Sequence, residues 1–212
     1  MSAEKLLLSG FSTKSAQISV NFLARGALPL RGLCRKTKRP IQNLSSTRFL
    51  KSRRSEEMLE ELESSIEADL AAADSGRQAL DHVLDRLISW RRYYWLGVYR
   101  IEGKIVKSLA FRGPDPACGD FIVGKGNVGT AAQTGAPRNI PDVAQDPFYQ
   151  QCFSNVKSEL VLPITAVEES GQRRIVGVMD VESDEKDFFT EVDEEVLGFV
   201  CAQLAPILSG VE

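Results

Sequence analysis

Between Ser55 and Ala73 the apolar residues Met58, Leu59, Leu62, Ile66, Leu70 and Ala73 recur every three or four positions in a Glu-rich background. That period predicts an amphipathic helix. Asp74-Ser75-Gly76 interrupts it and supplies a cap for the next one. Ala79, Leu80, Val83, Leu84, Leu87 and Ile88 then mark a second helix ending near Trp90. From Tyr94 the pattern shifts to strand type. Tyr94–Ile101 and Lys104–Ala110 read as two strands joined by a tight hairpin at Glu102-Gly103. A turn-rich stretch, Phe111–Gly119, leads to a short apolar strand, Phe121-Ile122-Val123, and then to a glycine-rich turn opening a short helix from Gly124. Asn139-Ile140 is extended, and Asp146–Val156 reads as a loop with room for a short helix. Strands follow at Ser158–Ala166 and Arg174–Glu182, hinged near Ser170-Gly171. Thr190 and Asp193 resemble a capping box with Asp in place of Glu, opening a last helix through about Leu208 that Pro206 kinks or ends. The expected class is α+β, an antiparallel sheet flanked by N-terminal and C-terminal helices.

Charge divides the chain. Residues 1–54 carry 12 basic residues and one acid, whereas 55–212 carry 14 basic and 28 acidic residues. Two segments are therefore expected: a disordered basic leader, 1–54, and a domain, 55–212. The leader holds eight serines and has no uninterrupted apolar region, a composition that fits an organellar transit peptide, plastid before mitochondrion. A basic arm around Arg35–Arg39 is the alternative, and a cytosolic protein the consequence if the leader is not an address. The acidic domain argues against a nucleic-acid surface, and no apolar run has the length of a membrane span. His82 is the only histidine, which excludes a multi-histidine metal site and a Ser-His-Asp triad centred elsewhere.

Three carboxylates carry the chemistry. Glu159 lies two residues into an apolar strand, and Asp180 and Glu182 stand two apart in another, hence on one face. Acids within hydrophobic strands are costly unless paired or held in a wet pocket, and no Lys or Arg occupies a matching in-strand position. Convergence would make a site for an ammonium group, with crowding raising the pKa of at least one acid. Solvated strand ends are the other reading for Glu159 and Glu182. Trp95, Gly97 and Tyr99 share one strand face and either wall a small-ligand pocket or simply pack. Cys118 and Cys152, in loops 34 residues apart, are a redox pair or two unrelated thiols, while Cys201 reads as buried packing in the last helix. Gly124, Gly126 and Gly129 have dinucleotide-loop spacing, but no βαβ crossover follows, so a tight turn before a helix accounts for them.

Trp95–Tyr99, Gly124–Ala131, Pro141–Val143, Ser158–Pro163 and Gly177–Ser183 together resemble a GAF domain over roughly residues 56–209, and within that superfamily the free methionine-(R)-sulfoxide reductases. That family carries three cysteines and a strand glutamate at spacings of 10, 24 and 7, which Cys118, Val128, Cys152 and Glu159 reproduce with valine at the middle cysteine. Glu182 stands where the family has Asp. The resemblance implies that Cys152 attacks the sulfoxide, that Cys118 resolves the product to a disulfide, and that thioredoxin reduces it. It further implies that Glu159, Asp180 and Glu182 bind the ammonium, that Trp95 and Tyr99 enclose the methyl-sulfur end, that no metal or organic cofactor is needed, and that the protein is a homodimer. A non-catalytic GAF module binding a small ligand or regulating a partner is the alternative.

Overall fold

The computed structural model describes residues 45–210; the rest of the leader, including Cys34 and residues 35–39, lies outside the described residues. Helix α1 spans Ser45–Ala71, starting ten residues before the predicted Ser55 and crossing the boundary drawn from charge. Arg and Lys are good helix formers, so a change in net charge is no helix stop. Helix α2, Gly76–Trp90, is capped by Ser75, whose hydroxyl accepts from the Gln78 amide.

Strands β1 (Trp95–Glu102) and β2 (Ile105–Arg112) form the expected hairpin, with Gly103 supplying the positive φ of its turn. Then come β3 (Phe121–Ile122), α3 (Gly126–Thr134), β4 (Arg138–Ile140), a single 3-10 turn at Val143–Gln145, β5 (Ser158–Val167), β6 (Arg173–Ser183) and α4 (Glu191–Gly210). All strand pairs are antiparallel, in the order β3-β2-β1-β6-β5-β4. The α+β sheet with terminal helices thus matches the expectation. Pro206 does not end α4; Ala202, whose carbonyl loses its partner, sits on the exposed side, where water replaces the lost bond. Among the described residues no helix is long and apolar enough to cross a membrane.

Alternation within the strands sends two different sets of side chains to the two faces. Leu96, Val98, Leu160, Leu162, Met179 and Val181 meet the apolar stripes of α1, α2 and α4, including Ile66, Leu84, Leu87, Leu197 and Leu204. Trp95, Tyr99, Val161 and Val178 point the other way, beneath α3 and the long loops, with Val128, Cys152 and Phe153. The first face is a purely structural core. The second holds polar groups.

One ionic knot joins the helices over the first face. Asp193 is fully buried and accepts from Arg91 (2.6 Å), the Tyr93 hydroxyl (3.2 Å) and both the amide and hydroxyl of Thr190 (2.8 Å each). The capping box is therefore half of the predicted one: Asp193 reaches back to the Thr190 amide, but the Thr190 hydroxyl donates to the carboxylate instead of capping a helix amide. Asp193→Ala leaves Arg91 and the Thr190 donors without their shared acceptor, and the expected loss is about 3 kcal/mol or more. Urea unfolding checks this; a loss under about 1 kcal/mol would contradict the role given to the knot.

Candidate functional site

Strand register builds the site. Pairing across β4, β5, β6 and β1 sets Ile140, Glu159, Glu182 and Trp95 in one row and Arg138, Val161, Asp180 and Gly97 in the next. Facing residues and residues two apart point to the same side, so Glu159, Asp180 and Glu182 converge. Their carboxylate oxygens lie within 4.8 Å of one another. Relative exposures of 4%, 3% and 2% rule out solvated strand ends for all three. The register could be anticipated only within a strand; that Glu159 faces Glu182 needed the pairing.

Burial is the main cause that pushes all three acids up. Glu159 rises to about 7 and Glu182 to about 8, and Asp180 lies well above the usual carboxylate range, with the Glu159 and Glu182 charges adding to its burial. The Tyr99 and Tyr149 phenols are also raised by burial and by the same carboxylates, which places both hydroxyls near the acids. Among the described residues the buried side-chain N and O atoms lacking a hydrogen-bond partner are Asp180 Oδ1, Glu182 Oε2, the Trp95 indole nitrogen and the Tyr149 hydroxyl. All belong to this cluster or face it. Buried polar groups ordinarily have partners, so this set is what a polar ligand would satisfy. The carboxylate oxygens suit a cation, either an ammonium or a divalent metal, while the indole N–H needs an acceptor.

Aromatic rings wall the site. Trp95 stacks on Phe111 at 5.9 Å between centroids, lies 5.7 Å from Phe153 and 6.3 Å from Tyr99. Its ring lies flat over Gly97, where a Cβ would collide with the indole. Gly97 is thus the floor that lets Trp95 lie beside Asp180.

Several residues were not singled out from the sequence. Asn127, buried in α3 just past the turn that Gly124 (φ 84°) and Gly126 (φ 67°) make, donates from Nδ2 to Glu159 at 2.6 Å and to Asp146 at 2.8 Å. Arg138 donates from Nε to Asn127 Oδ1 at 2.9 Å and stands 3.6 Å from Asp146. Tyr149 and Phe153 come from loops, where periodicity carries no information, and Phe111 stands near the end of β2, in a stretch whose sequence reads as turn-rich. The one available signal was Asn127, a polar residue between glycines at the entrance to a short helix, directly before Val128. Val128 is buried in the same cluster, so the position of the family's middle cysteine holds an inert methyl-bearing side chain.

Cys118 and Cys152 are joined by a disulfide, with Cα atoms 5.1 Å apart. This decides between a pair and two unrelated thiols. The Ala117 amide donates to the Cys152 carbonyl at 3.2 Å, tying the two loops together. Cys152 is buried in the cluster that holds Trp95 and Tyr99, whereas Cys118 is half-buried at its edge. Cys201 packs in the helical core as expected, its thiol pushed up to about 12 by burial. His82 lies between α1 and α2, its Nδ1 3.4 Å from the Asp69 carbonyl.

Residues 53–208 match the family model of the GAF domain. The chain is 36% identical over 143 residues to GAF domain-containing protein A of Dictyostelium discoideum, covering 67% of this chain and 87% of that protein. It is 32% identical over 115 residues to free methionine-R-sulfoxide reductase of Escherichia coli, covering 54% of this chain and 66%, slightly under two thirds, of the relative. The fold superposes on the X-ray structure of free methionine-R-sulfoxide reductase from Neisseria meningitidis in complex with its substrate, with a TM-score of 0.62, 26% identity, and coverage of 75% of this chain and 90% of that one.

The acids make stability depend on pH in a definite direction. Folding raises their pKa values, so the folded state holds more protons than the unfolded chain between about pH 4.5 and 8, and stability falls as pH rises through that window. Asp69 and Asp85, held below the usual range by hydrogen bonds from Arg86 and Arg112, titrate below it. Thermal unfolding of the ligand-free protein should therefore show a falling Tm from pH 5 to pH 8. Glu182→Gln should flatten that slope and add on the order of 1 kcal/mol or more at pH 8; a Tm that climbs with pH in both proteins would count against the buried triad.

Proposed function

The chain belongs to the GAF family, and we propose that it is an oxidoreductase that reduces free methionine-(R)-sulfoxide to methionine with the thiols of Cys152 and Cys118. The carrying observation is the Cys118–Cys152 disulfide set in the same buried cluster as Trp95 and Tyr99, above the face that holds the three acids. Its support from outside is the likeness in sequence and fold to the two reductases named above.

The substrate ammonium lies against the carboxylates, and its methyl-sulfur end lies among Trp95, Tyr99 and Phe153. The Cys152 thiolate attacks the sulfoxide sulfur and forms an S–S bond, while the oxygen stays bonded to sulfur and takes a proton from a carboxyl of the triad. Oxygen passes to Cys152 as methionine leaves, so the thiol becomes a sulfenic acid and the sulfoxide a thioether. Cys118 then attacks the sulfenic sulfur, water leaves, and the disulfide of the structure forms. A dithiol of the thioredoxin type reduces it by exchange at the more exposed Cys118, giving one methionine, one water and one oxidised dithiol per turn. With Glu159 raised to about 7, Glu182 to about 8 and Asp180 well above the usual carboxylate range, the triad supplies both needs, an anion for the ammonium and a proton for the oxygen. Delivery to a plastid by the basic leader and pairing of two copies through the helices are parts of the same proposal.

Cys152→Ser should fall below about a thousandth of wild-type turnover of free L-methionine-(R)-sulfoxide. Cys118→Ser should still release one methionine per protein in a single turnover but fail to cycle with thioredoxin. Chromatographic quantitation of methionine checks both; full cycling by Cys118→Ser, or no consumption by the wild type with thioredoxin or dithiothreitol, would refute the scheme.

A further inference from the structure

The three acids are not equivalent, and the difference traces to Asn127. Its amide can point only one way. Arg138 Nε–H is a donor, so Oδ1 must face it at 2.9 Å, and both Nδ2 hydrogens are then committed to Glu159 Oε2 at 2.6 Å and Asp146 Oδ2 at 2.8 Å. An amide so held cannot turn its oxygen toward Glu159 to accept a proton from it. Glu159 therefore always meets a donor, which favours its ionised form. Asp180 Oδ1 and Glu182 Oε2 meet no donor; burial and the Glu159 charge favour the protonated forms of both acids, opposed at Asp180 by one backbone amide, that of Val181. The hydrogen bond between Asp180 and Glu159 acts in the same sense, lowering Glu159 and raising Asp180.

We infer that Asn127, braced by Arg138, is a positioning residue that assigns the negative charge of the triad to Glu159 and leaves the exchangeable protons on Asp180 and Glu182. Glu159 then anchors the substrate ammonium, and the other two hold the proton that goes to the sulfoxide oxygen as the Cys152–sulfur bond forms. Both of these roles rest on the proposed reaction; the division of charge does not. The ionisable groups facing Glu159 are Asp180 and Glu182 from β6, Tyr99 from β1, Arg138 from β4, and Asp146 and Tyr149 from the loop between β4 and β5. Arg138 is the cation among them, and its hydrogen bond reaches Glu159 through the Asn127 amide. The Asn127 hydrogen bond is also the strongest influence opposing burial at Glu159.

The test is carboxyl 13C NMR of the full chain, labelled at Glu and Asp, titrated from pH 5 to 9 in the wild type, Asn127→Leu and Arg138→Met. Glu159 should titrate below Asp180 and Glu182 in the wild type. In Asn127→Leu its midpoint should rise by about one pH unit, so that below pH 7 about tenfold fewer molecules carry the charge. The kcat/KM for free methionine-(R)-sulfoxide should fall by the same factor there, mainly through KM, and recover towards pH 8.5. Arg138→Met, which keeps the amide but removes its brace, should move the midpoint in the same direction and carries the test alone if Asn127→Leu does not fold. A Glu159 midpoint unmoved by either change overturns the inference. A wild type that leaves the sulfoxide unreduced refutes the proposed reaction instead, while the midpoints still decide what Asn127 does.

Discussion

Taking Glu159, Asp180 and Glu182 out of water on one sheet face is the most demanding thing this fold does, because like charges so close cannot all ionise in a low-dielectric setting. Other features of the molecule bear on that constraint. Protons stay on carboxyls that would ordinarily lose them. An amide donor is brought to one acid by a glycine turn. The opposite face supplies the stiffness: a largely apolar layer under three helices holds β5, β6 and β1 in register, so the acids cannot relax apart.

The two sides of the sheet explain what could be read from residues alone. Helices and strands whose apolar period is uninterrupted, such as α2 and β6, were legible to within a residue or so, because their burial pattern is local. The same rule put Asp180 beside Glu182, and Trp95 beside Gly97 and Tyr99. What periodicity cannot express is register between distant strands, so the pairing of Glu159 with Glu182 became visible only in the assembled sheet. Loop residues carry even less. Nothing in the order of Asp146 to Phe153 marks Tyr149 as facing the acids or Phe153 as meeting Trp95. The start of α1 was missed for a different reason, since charge composition marks segments by cargo or surface and not by backbone state.

Function and support are separated unusually cleanly across this sheet. Side chains at even and odd positions of β1 serve different masters: Leu96 and Val98 hold the helices, while Trp95, Gly97 and Tyr99 shape the site. A change in the site therefore touches the helical core only through the backbone, which lets the acids and aromatics vary without loss of the fold.

The disulfide has a topological reach beyond joining two sulfurs. With its ends 34 positions apart in sequence, it closes a ring that contains β3, the glycine turn, α3, β4 and the loop with Tyr149. Closing a loop of that size removes enough freedom from the unfolded chain to be worth about 4 kcal/mol. Asn127, Arg138 and Asp146 all lie inside it. The oxidised protein is accordingly the tougher of the two redox forms, with the elements that tune the acids stitched into a single covalent circuit, and reduction turns that circuit back into an open chain whose two loops are held only by packing and the Ala117–Cys152 backbone hydrogen bond.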